Sequence, residues 1–514
     1  MPLDSNAASR SLWLSTEKAP HFPALTQDAH TEICVIGAGI AGLTTAYLLA
    51  CAGKKVMVID AIGIGAGETG RTTAHFFPPD EWYASLEDFF GTEQAAQISN
   101  SYKAATDLVE AIIAREGIDC NFERLPGYLF SMAENGREEI ENEFQAAQRA
   151  GAASKKLDCV PGLSFDTGSC VEFENLAQFH PMKYLVGLAD AIIKRGGEIF
   201  CDTRASGIEN SDEGNIVKTD NGKISAAAVV VATNTPFNKE TMLTHTKQIP
   251  YQTYVIGVRV PKGSVPRLLL WDTGDPYYYV RLAEDDNQPG DQSDHDILIV
   301  GGADHKTGED KHPEHRYDEI EKWVRERFPM ALSVDYRWSG EVMEPADGVA
   351  YLGRNPMGDK NTYIITGDSG NGMTHCTIGA MIISDLICGR ENQWEAFYSP
   401  KRKVKHGIGE FVSHQADVLT KYGKWLTPGE VKSTDEIKPG QGAIVRKGIH
   451  KLAVYRDEAG SLHSLSAKCT HMGCVVHFNS AERSWDCPCH GSRFSTDGEV
   501  LHGPATSPLS KAAD

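Results

Sequence analysis

Residues 31–60 read TEICVIGAGIAGLTTAYLLACAGKKVMVID. The apolar run 33–36 predicts a buried strand, the glycine-rich turn after it gives way to a helix over about 40–52, and a second strand ends at Asp60. Gly37-Ala38-Gly39-Ile40-Ala41-Gly42 is thus a G-x-G-x-x-G between strand and helix. Each glycine has a physical task there: the first makes a tight turn, the second lets backbone approach a pyrophosphate, and the third lets helix pack on strand. The helix N-terminus offers free N–H groups to phosphates, and Asp60 can accept from a ribose hydroxyl. A second match, Gly65 to Gly70, begins five residues after Asp60 with no strand of its own. It reads as a phosphate- or flavin-facing loop of the same site, so the sequence offers one dinucleotide site and no separate NAD domain.

Outward from this unit, helical periodicity predicts helices over about 92–116, 136–150 and 181–195. The run AAAVVVATN (226–234), with Ala232 and Thr233 at its end, reads as a parallel strand buried on both faces beside the first unit. YQTYVIGVRV, YYYVRL and DILIVGG, between 251 and 302, predict an antiparallel sheet, with an acidic loop AEDDNQPGDQSDHD (283–296) expected to be mobile. Residues 363–389 read as a strand, a glycine loop and a long helix. The fold expected is an α/β Rossmann-like dinucleotide-binding domain and an antiparallel-sheet domain, interleaved in sequence over 1–415. A polar, lysine-rich linker would follow at 416–430, then a C-terminal all-β domain over 431–514.

The composition narrows the partners. A chain of 514 residues is too long for one core. A formal net charge of -20 opposes binding to nucleic acid or anionic membrane, which share its sign. No stretch reaches the ~20 uncharged apolar residues of a transmembrane helix, and the first twenty residues lack a basic and apolar signal pattern, so a cytoplasmic protein is expected. Eight of the twelve cysteines are scattered from Cys34 to Cys388 and read as reduced thiols, whereas four crowd into 469–489.

The entry motif resembles that of the D-amino-acid oxidase-like flavoproteins, which include glycine and sarcosine oxidases. The resemblance extends in order through GAGETGRTTAH, VVVATN, RWSGEVMEPADGVAYLGRNP and GDSGNGMT, covering roughly 30–400. It implies FAD, with Arg71, Thr72 and Thr73 along its diphosphate and flavin end. Gly367, Asp368, Asn371, Gly372, Met373 and Thr374 would form the loop that approaches the isoalloxazine. The cysteine that carries covalent flavin in monomeric sarcosine oxidase has no counterpart in EPADGVAYLGR, and His75 does not align with the histidine used elsewhere, so non-covalent FAD is expected. YYYVRL resembles the strand bearing the carboxylate-gripping arginine of glycine oxidase, which nominates Arg281 with Tyr279 beside it. An arginine facing solvent from a strand is the alternative.

Cys469-Thr470-His471 and Cys487-Pro488-Cys489-His490 place C-x-H fifteen residues before C-x-x-H. Two cysteines and two histidines could make a tetrahedral zinc site, although zinc loops usually open with a C-x₂₋₄-C pair. The two loops resemble Rieske iron–sulfur domains, and that resemblance spans about 431–510. It implies a [2Fe-2S] cluster with Cys469 and Cys487 on one iron and His471 and His490 on the other. It also implies a disulfide between Cys474 and Cys489, a Ser492 hydroxyl donated to a cluster sulfur, and a lowered potential because Phe494 stands where respiratory relatives carry tyrosine.

A flavin that takes two electrons beside a cluster that carries one implies an oxidoreductase. An amine or amino acid would be oxidised at its C–N bond by hydride transfer to FAD, and electrons would leave singly through the cluster to an external acceptor protein. The alternatives are electron entry at the cluster for a reductive reaction, and a non-enzymatic electron-transfer module.

Overall fold

The strand Ala29–Ile36 pairs in parallel with Val56–Ile59 on one side and with Gly222–Val231 on the other. The computed structural model describes residues 9–79, 83–133, 135–211, 214–237, 247–285, 293–357, 361–403 and 421–512. Parallel pairing continues outward to Glu198–Phe200 and to Thr362–Thr366, and Tyr351–Arg354 closes the edge antiparallel. Every residue of Val56–Ile59 is buried, as expected of a strand covered on both faces. The helix Ile40–Cys51 is apolar nearly all round because it packs against two further helices, Pro181–Lys194 and Gly372–Ile387.

The second sheet has nine strands, with Gln248–Pro261 between Val334–Pro345 and His295–Lys306, followed by Tyr278–Glu284 and Leu269–Asp272. Its pairings are antiparallel except where Leu269–Asp272 runs parallel to Glu123–Phe130. The helix His315–Arg327 covers one face, burying Tyr317, Ile320, Trp323 and Val324 over Tyr254 and Leu298. The helices Thr92–Glu116, Gly136–Arg149 and Pro181–Lys194 stand where the periodicity placed them. Of the acidic loop, 286–292 lie outside the described residues, and its ends belong to the flanking strands.

The C-terminal part forms two small antiparallel sheets. One is Gly442–Lys447, His450–Arg456 and Leu462–Ser466; the other is His477–Asn479, Ser484–Asp486, Arg493–Ser495 and Val500–His502. Trp485 and Phe494, both fully buried, fill the core behind the four-stranded sheet.

Part of the expected linker lies against the cysteine loops. Residues 416–420 lie outside the described residues, and the rest of it is packed rather than spanning free space. Trp425 Nε1 donates to Gly473 O at 3.0 Å and Tyr422 OH to Met472 O at 2.9 Å, fastening this segment to the first cysteine loop. Lys421, 5% exposed, donates to Pro488 O at 2.9 Å and pairs with Glu309 at 2.5 Å. Among the described residues, no helix is long and apolar enough to cross a membrane.

Candidate functional site

The G-x-G-x-x-G turn is built so that only glycine fits. Gly37 has φ +113°, and a Cβ there would lie 2.3 Å from Ala232 O; a Cβ on Gly42 would lie 1.8 Å from Gly37 O. Thr69 Oγ1 accepts from Ile40 N at 3.1 Å, and Gly65 N donates to Ala38 O at 3.1 Å, so the second glycine-rich loop is folded onto the first. Asp60 accepts from Ala38, Ile62 and Gly63 N at 2.8–2.9 Å. Burial pushes its carboxyl upward against those three donors.

A cavity of about 480 Å³ opens from this turn and runs between the two sheets. Gly37, Gly39, Ile40, Ala41, Asp60, Arg71, Thr72, Thr73, Ala232, Thr233, Asp368, Gly372, Met373 and Tyr279 line it, as do Gly67, Glu68 and Thr69 of the second loop. The other nominated residues stand behind this wall. Ala38 reaches Asp60 through its N–H, Gly42 packs helix on strand, and Gly367, with φ +73°, makes the turn under Pro345. Asn371 begins the helix Gly372–Ile387, and Asn371 Nδ2 and Thr374 Oγ1 are buried without a hydrogen-bond partner. Two helix N-termini therefore face one elongated cavity that begins at an acid placed for ribose. These features fit FAD: the first turn would hold the diphosphate, and 368–373 would abut the ring system.

Arg281 does not reach this cavity. Its Nη1 donates to the carbonyls of Thr73, Ala74 and Phe179 at 3.0, 2.8 and 3.1 Å, and its guanidinium lies over the Trp13 ring at 5.1 Å. At 3% exposure it faces neither solvent nor substrate, so both sequence expectations for it are corrected. Burial, aided by Arg267, brings it down to about 9, and the three carbonyls provide its solvation. Its partner on the strand, Tyr279, does line the cavity and hydrogen-bonds Thr253 Oγ1 at 2.9 Å.

In the C-terminal domain Cys469 and Cys487, each 1% exposed, bring their thiols within hydrogen-bonding reach of one another. The rings of His471 and His490 meet edge to face at 5.0 Å. Burial brings His471 down to about 4, the neutral form a ligand needs. Cys474 and Cys489 are joined as a disulfide. The sulfurs of Cys474, Cys487 and Cys489 lie within 4.8 Å of one another, but two are spent in that bond and only one thiolate remains. Among the described residues no three ligand atoms of the Cys469, His471, Cys487 and His490 set come that close. A single tetrahedral zinc, with bonds of ~2.0–2.3 Å, would hold all four atoms within about 4 Å. A cysteine pair and a histidine pair set apart fit the two irons of a [2Fe-2S] cluster instead. The Ser492 hydroxyl is within reach of the Cys469 sulfur and accepts from Ala505 N at 3.1 Å.

The two sites adjoin, which local sequence reading missed. Leu501, His502, Gly503, Ala505 and Thr506, after the second cysteine loop, form part of the cavity wall. His502 hydrogen-bonds Thr235 Oγ1 at 3.1 Å and lies 3.3 Å from Glu68 and 3.4 Å from Glu341. Burial raises Glu68, but His502, Arg71 and Arg493 outweigh it and bring the group down to about 2. Glu341, also in the wall, is held well above the usual carboxylate range by burial. On its far side it abuts Gly491, where a Cβ would lie 2.3 Å from Oε1. Glu482 completes the contact: it pairs with Arg71 at 3.3 Å and Arg493 at 3.7 Å, and accepts from Ser9 at 2.6 Å.

Comparison with known proteins agrees with this division. Residues 32–386 match the family model "FAD dependent oxidoreductase", and 427–513 match "Rieske [2Fe-2S] domain". Bacillus subtilis (strain 168) YhfW, named as a Rieske 2Fe-2S iron-sulfur protein, is 30% identical over 510 residues, covering 98% of this chain and 97% of its own length. Gamma-glutamylputrescine oxidoreductase of Escherichia coli (strain K12) is 26% identical over 74% of this chain and 89% of its own. Glycine oxidase from Geobacillus kaustophilus shares the fold over 73% of this chain and 100% of its own, with TM-score 0.62 at 17% identity. The chain therefore belongs to the FAD-dependent oxidoreductase family and carries a Rieske [2Fe-2S] domain after its flavin domain.

Proposed function

We propose that this protein oxidises the C–N bond of a small amine or amino acid and delivers the electrons, one at a time, to an external acceptor protein. FAD, bound non-covalently, would supply the hydride-accepting chemistry and the [2Fe-2S] cluster the one-electron carriage. The similarity to gamma-glutamylputrescine oxidoreductase supports the choice of bond. One observation carries the electron route: Glu341 forms the flavin-cavity wall on one side and touches the cluster loop at Gly491 on the other.

The protein's own residues would hold this arrangement. Glu482 clamps Arg71 of the cavity wall to Arg493 of the four-stranded sheet, and His502 ties the final strand to Thr235 and Glu68. Together they shut water from that side of the cavity, which strengthens the electrostatics inside. The charge of -20 would steer a basic carrier protein toward the surface.

Anaerobic titration of the oxidised holoprotein with a panel of amines and amino acids tests the reading. The expected result is loss of flavin absorbance together with the paramagnetic signal of a reduced Rieske cluster. A panel that leaves both cofactors oxidised, while a reduced ferredoxin reduces them, would overturn it.

A further inference from the structure

One end of the cavity is walled by aromatic rings in continuous contact. His75 stacks on Phe77 at 4.3 Å, Phe77 meets Trp271 at 4.7 Å, His75 meets Tyr279 edge-on at 5.8 Å, and Tyr277 lies 5.9 Å from Tyr279. All five line the cavity. Two glycines on neighbouring strands clear the space for this wall. A Cβ at Gly301 would lie 2.4 Å from the Tyr279 ring, and one at Gly127 would lie 2.9 Å from Trp271. Tyr279 and Trp271 therefore lie over these glycines, while His75 stands edge-on to Tyr279 at an interplanar angle of 88°.

The charges at this end are acidic. Asp272 lines the cavity and accepts from Gly274 and Tyr278 N, while Asp304 accepts from Tyr277 OH at 2.9 Å. Among the described residues the wall contains two cationic side chains, and both are engaged elsewhere. Arg71 pairs with Glu482 at 3.3 Å. Arg204 donates to Val500 O at 3.2 Å, beside the Thr203 that bonds Asp60. Burial lowers His75 well below its usual range and brings His375 down to about 4, and the third histidine of the wall, His502, lies against Glu68 and Glu341. Arg281 is turned into the protein, as described above.

We infer that this aromatic end takes the cationic group of an amine that carries no carboxylate on the carbon to be oxidised, so that alkylamines and polyamines are substrates and α-amino acids are not. Aromatic faces attract a desolvated ammonium through their quadrupole, and nearby acids add to the attraction. A carboxylate placed here would meet the negative faces of the same rings and lose its water without gaining a cation. The inference rests on the amine-oxidising reading above and narrows it.

Titration of the oxidised holoprotein with three inert probes of similar shape, followed by perturbation of the flavin absorbance, tests it without turnover. The probes are tetramethylammonium, pivalate and tert-butanol. Tetramethylammonium should bind at least tenfold more tightly than either of the others. Trp271→Leu and the half-exposed Tyr277→Leu should each weaken it by about three- to thirtyfold, with flavin content unchanged. The inference is overturned if pivalate binds as tightly, if no probe binds, or if both variants hold tetramethylammonium as the parent does. Preference for the cation with no amine able to reduce the flavin would leave the cation-binding site standing and remove the oxidative reading, and with it the assignment of amines as substrates.

Discussion

Glu341 Oε1 would lie 2.3 Å from a Cβ at Gly491, so the carboxyl in the flavin-cavity wall rests directly on the backbone of the cluster loop. Gly491 also has φ +80°, and it immediately follows His490, the residue proposed to ligate the cluster. Gly491→Ala therefore combines ~1–2 kcal/mol of backbone strain with a collision that pushes loop and wall apart. Flavin and cluster should each still be loaded, with transfer between them slowed at least tenfold in rapid mixing.

Glu482, with its side chain 1% exposed, stands between Arg71 and Arg493. Glu482→Gln keeps the shape and removes the charge shared by the two guanidiniums, leaving Arg71 without its buried partner while Arg493 keeps Asp486 at 3.3 Å. Removing one partner of a buried pair costs about 3 kcal/mol. The Rieske domain should melt earlier than in the parent by calorimetry, and high salt should not rescue it, because a buried pair is poorly screened.

The Ser492 hydroxyl is within reach of the Cys469 sulfur, whereas the buried Phe494 ring offers no donor. Hydrogen bonds to cluster sulfurs stabilise the more negative reduced state. Ser492→Ala should lower the cluster potential and Phe494→Tyr raise it, each by on the order of 60–130 mV, the one-electron equivalent of a charged hydrogen bond. Protein-film voltammetry reads both. Shifts of the opposite sign would remove the tuning role.

Arg281 is bonded to three backbone carbonyls and stacked on Trp13. Arg281→Met should lower the melting temperature, by about 3 kcal/mol in stability, because buried carbonyls lose their donor. It should leave the KM for any substrate nearly unchanged. A rise in KM confined to carboxylated substrates would restore it as a carboxylate grip.

Much of this architecture is legible in local sequence, and the exceptions share a cause. Gly37 to Gly42 and Asp60 are readable because strand, turn and helix are contiguous, and the two cysteine loops because their ligands recur at short fixed spacing. The place of Arg281 is not legible because strand alternation puts it on the same face as Tyr279 but says nothing of where a long side chain ends. Its partners Thr73, Ala74 and Phe179 lie more than a hundred residues away. The contacts of Glu341 with Gly491, Arg71 with Glu482 and Thr235 with His502 join segments 150 to 411 residues apart, and no periodicity encodes them. The segment 421–430 looks like a linker because it is polar, yet Lys421 and Trp425 use their polar ends to fasten it to the cysteine loops.

The central claim is that electrons enter at the flavin and leave through the adjoining cluster. Anaerobic stopped-flow mixing with an amine that reduces the protein, followed at separate flavin and cluster wavelengths, tests it most directly. The account predicts that the flavin bleaches first, that the cluster is reduced afterwards, and that Gly491→Ala slows the second phase alone. Reduction of the cluster before the flavin, or a cluster that stays oxidised while the flavin turns over, would contradict it.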